Sequence, residues 1–134
     1  MDGKRTPNIV EKPWGSEEVW ASTHHSVGKI LHIKKAHRLS RKYHTIKNHT
    51  IRILEGTLTL EVGPRFEGDV IESVALPAGT AYHLAAMTIH RFCAEQGDVK
   101  IIEISNQGPS DSVRLEDDYR RITQIPKVGP QSNK

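Results

Sequence analysis

The chain has 134 residues, 36% hydrophobic and 26% charged, with 19 Lys+Arg against 16 Asp+Glu for a formal net charge of +3. That length suits one domain with a small core. So slight a basic excess, scattered without lysine or arginine blocks, gives no electrostatic footprint for nucleic acid. No apolar run approaches the ~20 residues of a bilayer crossing. The opening residues contain no apolar signal-type stretch and Cys93 is the single cysteine, so the expectation is a cytoplasmic protein without an internal disulfide.

In chain order, residues 1–11 read as a polar tail. Short β-type runs then follow at residues 18–21, 27–34, 39–44, 49–55 and 57–62. The run at 27–34 puts Leu31 and Ile33 on one face and Ile30, His32 and Lys34 on the other. The runs at 49–55 and 57–62 meet at Glu55-Gly56, a tight-turn pair, with Ile51, Ile53, Leu58 and Leu60 at period 2. After a loop holding Gly63, Pro64 and Gly68, further runs are expected at 70–76, 80–84, 89–94 and 99–105. Residues 115–122 (LEDDYRRI) read as a short helical turn, since Asp117 and Asp118 precede Arg120 and Arg121 in the sense the helix dipole favours. Residues 122–134 read as a second tail. Many short strands between turn residues specify an all-β sandwich or barrel.

Eight histidines are the compositional oddity. His44 ends one expected strand, His49 begins the next, and His90 opens a later one on the same face as Phe92. Three neutral imidazoles with an open position suffice for zinc and suit nickel, copper or iron. The alternative is that these are chance strand-start histidines. His24 and His25 fall in a turn and read as solvated, while His32, His37 and His83 read as β-face or turn residues, His83 with the option of lining a pocket. Cys93, on the face opposite His90, reads as a small buried hydrophobe.

Two segments carry a resemblance. Residues 39–57 (LSRKYHTIKNHTIRILEGT) and 79–92 (GTAYHLAAMTIHRF) resemble the two motifs of the cupin superfamily. Lys12-Pro13-Trp14-Gly15, residues 29–34 and residues 113–119 extend the likeness over about 12–121, toward small single-domain cupins similar to type II mannose-6-phosphate isomerase. The resemblance implies a jelly-roll β-barrel, a homodimer, and one divalent metal (Zn, Mn, Ni or Fe) at the open end. Trp14 and Trp20 are the residues available for a dimer interface. In that family the first motif supplies glutamine, histidine and glutamate, and the second a histidine. The histidines fall on His44 and His90, the glutamate position is His49, and the glutamine position is Lys42. Ala85, Ala86 and Met87 stand where prolines and a glycine are usual.

The departures matter physically. His49 still offers a donor, but an ammonium ~4 Å from a divalent ion is repelled by roughly 8 kcal/mol at an effective dielectric near 20. Lys42 therefore turns outward, loses its proton, or excludes the metal. Three functions follow. One is a metal-dependent sugar-phosphate isomerase, with Lys42 or His49 as the base. Another is a metal-free module for an anionic sugar or nucleotide-sugar. The third is a small-molecule dioxygenase on a three-histidine iron. Lys42, Lys47, Tyr82 and His83 are the candidate substrate-binding residues, with Tyr43 and Trp20 as further ring platforms. Arg91 alternates away from His90 and is expected at the surface or rim. Asp117, Asp118 and Tyr119 are expected to close a sheet edge or cap the barrel mouth.

Overall fold

Along residues 49–55 buried and exposed side chains alternate: His49, Ile51 and Ile53 face inward, Thr50, Arg52 and Leu54 outward. This is what an antiparallel sheet covered on one face demands. The computed structural model describes residues 3–65, 70–108 and 111–119 and contains no helix among them. Its strands are β1 (Asn8–Lys12), β2 (Gly15–Ser22), β3 (Ser26–Ile33), β4 (Arg41–His44), β5 (His49–Glu55), β6 (Thr57–Pro64), β7 (Glu72–Pro77), β8 (Ala81–Leu84), β9 (Thr88–Cys93), β10 (Val99–Asn106) and β11 (Ser112–Glu116). They form two antiparallel sheets, one ordered β1-β2-β3-β10-β5-β8 and the other β11-β4-β9-β6-β7. The architecture is the all-β jelly-roll sandwich expected.

The inward rows of several strands change character at a similar level. Ile53 and Ile51 give way to His49 on β5, Ile101 to Glu103 and Ser105 on β10, Leu31 to Lys29 on β3, and Phe92 to His90 on β9. One end of the sandwich is therefore an apolar core of fully buried Ile33, Ile53, Leu58, Leu60 and Ile101. The other end is a cavity of about 250 Å³ with polar walls. At about 25 cal/mol per Å², the apolar end supplies the cohesion that lets the polar end stay hollow. Gly56 makes the β5–β6 turn possible: its φ is +80°, and a Cβ there would run into the Asp98 carbonyl oxygen.

Four expectations are corrected. Residues 8–11, read as tail, form most of β1 and pair with β2 from Asn8↔Val19 to Lys12↔Gly15. Leu115 and Glu116, read as the start of a helical turn, belong to β11, where Glu116 pairs with Arg41. Ladder hydrogen bonds to an open edge of β4 outweigh the dipole pattern of a segment too short to nucleate a helix. Residues 120–122 of that turn, and the tail after it, lie outside the described residues. Trp14 is 3% exposed and packs in the core rather than at a surface. Arg91, expected at the rim, is 0% exposed. Its Nε donates to the Leu39 carbonyl (2.8 Å), and its terminal nitrogens donate to Glu116 (2.6 Å) and Asp118 (3.0 Å). Arg38 holds the same Asp118 through two hydrogen bonds of 2.7 and 3.0 Å. The segment after β11 is thus fixed to the outer face of its sheet by arginines.

Candidate metal centre

Strands β4 and β5 carry His44 and His49 at their adjoining ends, and β9 brings His90 alongside, since Lys42 pairs with His90 in register. One ring nitrogen from each of the three lies within 4.8 Å of the others. Ligands on a tetrahedral ion with bonds near 2.1 Å stand ~3.4 Å apart, so small side-chain adjustments close the set. The ring centroids lie 4.9–5.8 Å apart.

The tautomers follow from the outer partners. His44 Nδ1 donates to Asp111 Oδ1 at 2.9 Å, His49 Nδ1 to Glu103 Oε2 at 2.6 Å, and His90 Nδ1 to the Thr88 carbonyl at 3.0 Å. An acceptor on every Nδ1 leaves the lone pair on every Nε2. Histidine ligands in metal sites are oriented in this way, each fixed by a carboxylate or carbonyl behind it. The Nε2 atoms of His49 and His90 are buried with no hydrogen-bond partner, a cost that a bound cation would remove. The residues present therefore fit a divalent metal.

Electrostatics favour the neutral form of His44 and His90. Burial lowers the pKa of His90 well below the ordinary range, and His49 and Lys42 add to the effect. Burial also lowers His44, although the hydrogen bond to Asp111 opposes it. Behind the ligands the carboxylates stay charged. Burial pushes Glu103 up, but its hydrogen bond to His49 and the charges of Lys29 and Lys42 hold it at about 2. Asp111 is also held at about 2: against its burial it accepts from the backbone N–H groups of Lys47 and Ile46 and from His44.

Glu103 and Asp111 are the functional residues that sequence reasoning missed. Glu103 had a legible signal, being a charge at the apolar-face parity of Val99 and Ile101. Asp111 had none, because it follows Gly-Pro-Ser in a stretch of sequence with no apolar periodicity.

Lys42 does not turn outward. It shares the inward face of β4 with His44 and lines the cavity, as does Lys47. Burial lowers the pKa of Lys42; Glu103 opposes the shift, while Arg114 and Lys29 reinforce it. Tyr82 and His83 do not line the cavity: Tyr82 packs against the core, and His83 is exposed and bonded to Thr50 Oγ1 at 2.9 Å. Tyr43 is buried on the other face of β4 beneath Arg65, and Trp20 lies over Gly28, so neither offers a ring to the cavity. The apolar surfaces that do line it are Trp14, Leu31, Leu39 and Phe92.

No family model matches the sequence, and no curated protein does. The fold has many solved counterparts. The capsular polysaccharide assembling protein CapF from Staphylococcus aureus superposes with a TM-score of 0.74 at 15% identity, over 86% of this chain and 33% of that one. KdgF from Halomonas sp. gives 0.64 at 16% identity, over 76% and 89%. The hydroxypropylphosphonic acid epoxidase from S. wedmorenis gives 0.60 at 18%, over 73% and 54%, and a further structure of that enzyme carries iron(II). The chain spans about a third of the length of CapF. These likenesses establish a cupin fold. No described helix is long and apolar enough to cross a membrane.

Proposed function

We propose that this chain is a metal-binding cupin acting on a small anionic sugar-type ligand, with aldose–ketose isomerisation of a sugar phosphate as its specific activity. The observation that carries the reading is the convergence of His44, His49 and His90 with every Nδ1 already engaged and two Nε2 atoms buried without partners. A divalent ion there would supply Lewis-acid polarisation of the ligand's carbonyl and hydroxyl oxygens. With its Nδ1 given to Glu103 and its Nε2 given to a metal, His49 keeps no nitrogen for proton transfer. Lys42, in register with His90, is then a hydrogen-bond donor beside the metal ligands that can face the ligand's oxygens. A cavity of about 250 Å³ falls below the ~300–1,000 Å³ of drug-sized sites, which favours a monosaccharide-sized ligand over a nucleotide-sugar. The likeness to CapF, a capsular polysaccharide assembling protein, agrees with a sugar-type ligand.

The inward position of Lys42 favours one second reading, a metal-free module for the same class of anion. Metal analysis of protein purified without a histidine tag separates the two. Near-stoichiometric zinc, manganese, nickel or iron supports the first reading, and its loss in His90→Ala assigns the metal to the triad. Mannose 6-phosphate and fructose 6-phosphate should interconvert, and a chelator should abolish turnover. A loaded protein that fails to turn over would remove the isomerase and keep the metal centre.

A further inference from the structure

Five cationic side chains, Lys12, Lys29, Lys42, Lys47 and Arg114, line the cavity against two acidic ones, Glu17 and Glu103. Both acids are engaged: Glu17 with Lys29 at 3.3 Å and Glu103 with His49 at 2.6 Å. Asp111 behind His44 is likewise taken, by that ring and two backbone N–H groups. Lys42 makes no hydrogen bond or ion pair among the described residues. Its register partner across β4 and β11 is Arg114, and across β4 and β9 it is His90. His44, His90 and a cationic pair therefore share one wall, with His49 facing them from β5 in the other sheet.

A divalent ion added to this wall meets repulsion from Lys42 and Arg114. A protein that needed only the metal would gain by a neutral residue at position 42. One negative group lying between the ion and the two cations offsets both repulsions, because the ion and each cation then have an opposite charge nearer to them than the like one, in a site partly screened from water. Arginine beside lysine also suits an oxyanion, the planar fork fixing two oxygens and the ammonium a third.

We infer that Lys42 and Arg114 form a seat for an oxyanion of the ligand, and that this anion and a metal ion at the three histidines bind as a linked pair. The inference rests on the metal-centre reading above and narrows it. The ligand carries a carboxylate or phosphate close to the oxygen that the metal takes, and each partner raises the affinity of the other by the same factor.

The test titrates the whole chain with cobalt(II), read by its visible absorption, in inorganic phosphate, in acetate, and in chloride at matched ionic strength. Calorimetric titration of phosphate runs with and without cobalt. Phosphate or acetate should tighten cobalt binding about tenfold or more, and cobalt should tighten the anion equally. Tightening by phosphate alone assigns the seat to phosphate, and by acetate alone to a carboxylate. In Lys42→Gln, cobalt alone should bind about tenfold tighter than to the unmodified chain, with most of the anion effect gone. Arg114→Gln should weaken the anion effect by a smaller factor, and Lys100→Gln, outside the cavity, should change neither. Equal cobalt affinity in all three anions overturns the inference, as does a full anion effect in Lys42→Gln. Cobalt that binds under no condition overturns the linkage and the metal reading together. Lys42-dependent phosphate binding in that case would leave the seat alone standing.

Discussion

Two polar clusters, each with buried members, lie on the two faces of β9, and they differ in how completely the valences of those members are met. On the outer face, Arg91 has zero exposure, and its guanidinium donates to a carbonyl and two carboxylates. Within the sandwich, two imidazole nitrogens and an ammonium face one another without partners. Burial and charge are common to both. What separates a brace from a site is the unfilled valence, because a fold gains nothing by leaving buried polar atoms unpaired.

The largest effect should come from breaking the closed cluster. Arg91→Met leaves the Leu39 carbonyl without its donor and takes a partner from Glu116 and Asp118, which are themselves 55% and 37% exposed, and should cost about 1–3 kcal/mol of stability. Arg38→Met, which removes a pair with both members more than a third exposed, should cost under ~1 kcal/mol. Urea titration measures both. Cobalt affinity of the folded fraction should stay put in either variant. Equal costs for the two would erase the contrast drawn above.

Acid sharpens it next, in two stages. His90 and His44 have folded pKa values below the unfolded one. As pH falls under ~6.5 the unfolded chain therefore takes up protons that the folded chain refuses, and stability declines. Glu103 and Asp111, each held at about 2, add stability that is fully present above their unfolded values and lost as pH falls toward 2. Asp118 on the outer face, lowered by its hydrogen bonds to Arg38, acts only in that second window. Between pH 7 and 5 the loss thus comes from the cavity. A flat metal-free stability profile over that interval would mean that the imidazoles are not held neutral.

A smaller change isolates the carboxylate behind a ligand. Glu103→Gln keeps an acceptor for His49 Nδ1 but removes its charge, and metal affinity should fall about 10–100-fold with the fold intact by circular dichroism. Asp111→Asn should do the same for His44 and also free the Ile46 and Lys47 N–H groups, loosening the loop as well. Unchanged metal affinity in Glu103→Gln would reduce that carboxylate to a structural brace like those around Arg91.

Much of this was legible in the sequence, for a physical reason. Period-2 alternation locates a half-buried strand well, and the reading of 49–55 has the same limits as β5. His44 at the end of β4, His49 at the start of β5 and His90 near the start of β9 converge because antiparallel strands bring their ends to a common mouth. Non-local pairing is what stayed hidden. Nothing in residues 8–12 announces that β2 will pair with them, and the acid-then-base order of residues 115–122 yields to a ladder on β4. Arg91 misled for a related reason: alternation placed it correctly on the outer face but could not show that the chain after β11 returns to cover that face.

The smallest effect concerns two turns with the same backbone cost in different surroundings. Met87 has φ +64° and Ala36 φ +69°, left-handed values that cost a residue with a Cβ roughly 1–2 kcal/mol. Glycine removes that strain but gives back ~0.5–1 kcal/mol in unfolded-chain entropy. Met87→Gly and Ala36→Gly should therefore each stabilise the fold by up to about 1 kcal/mol in urea. Their other consequences should diverge. The Met87 N–H donates to the His44 carbonyl at 2.7 Å, and Thr88, which accepts from His90, follows it. The Ala36 N–H donates to the Ala94 carbonyl, away from the triad. A more pliant turn at position 87 should weaken cobalt binding by about two- to threefold, while the one at 36 should leave it unaltered. Equal stabilisation with equal metal affinity would show that the turn before β9 only connects strands and takes no part in setting the two histidines.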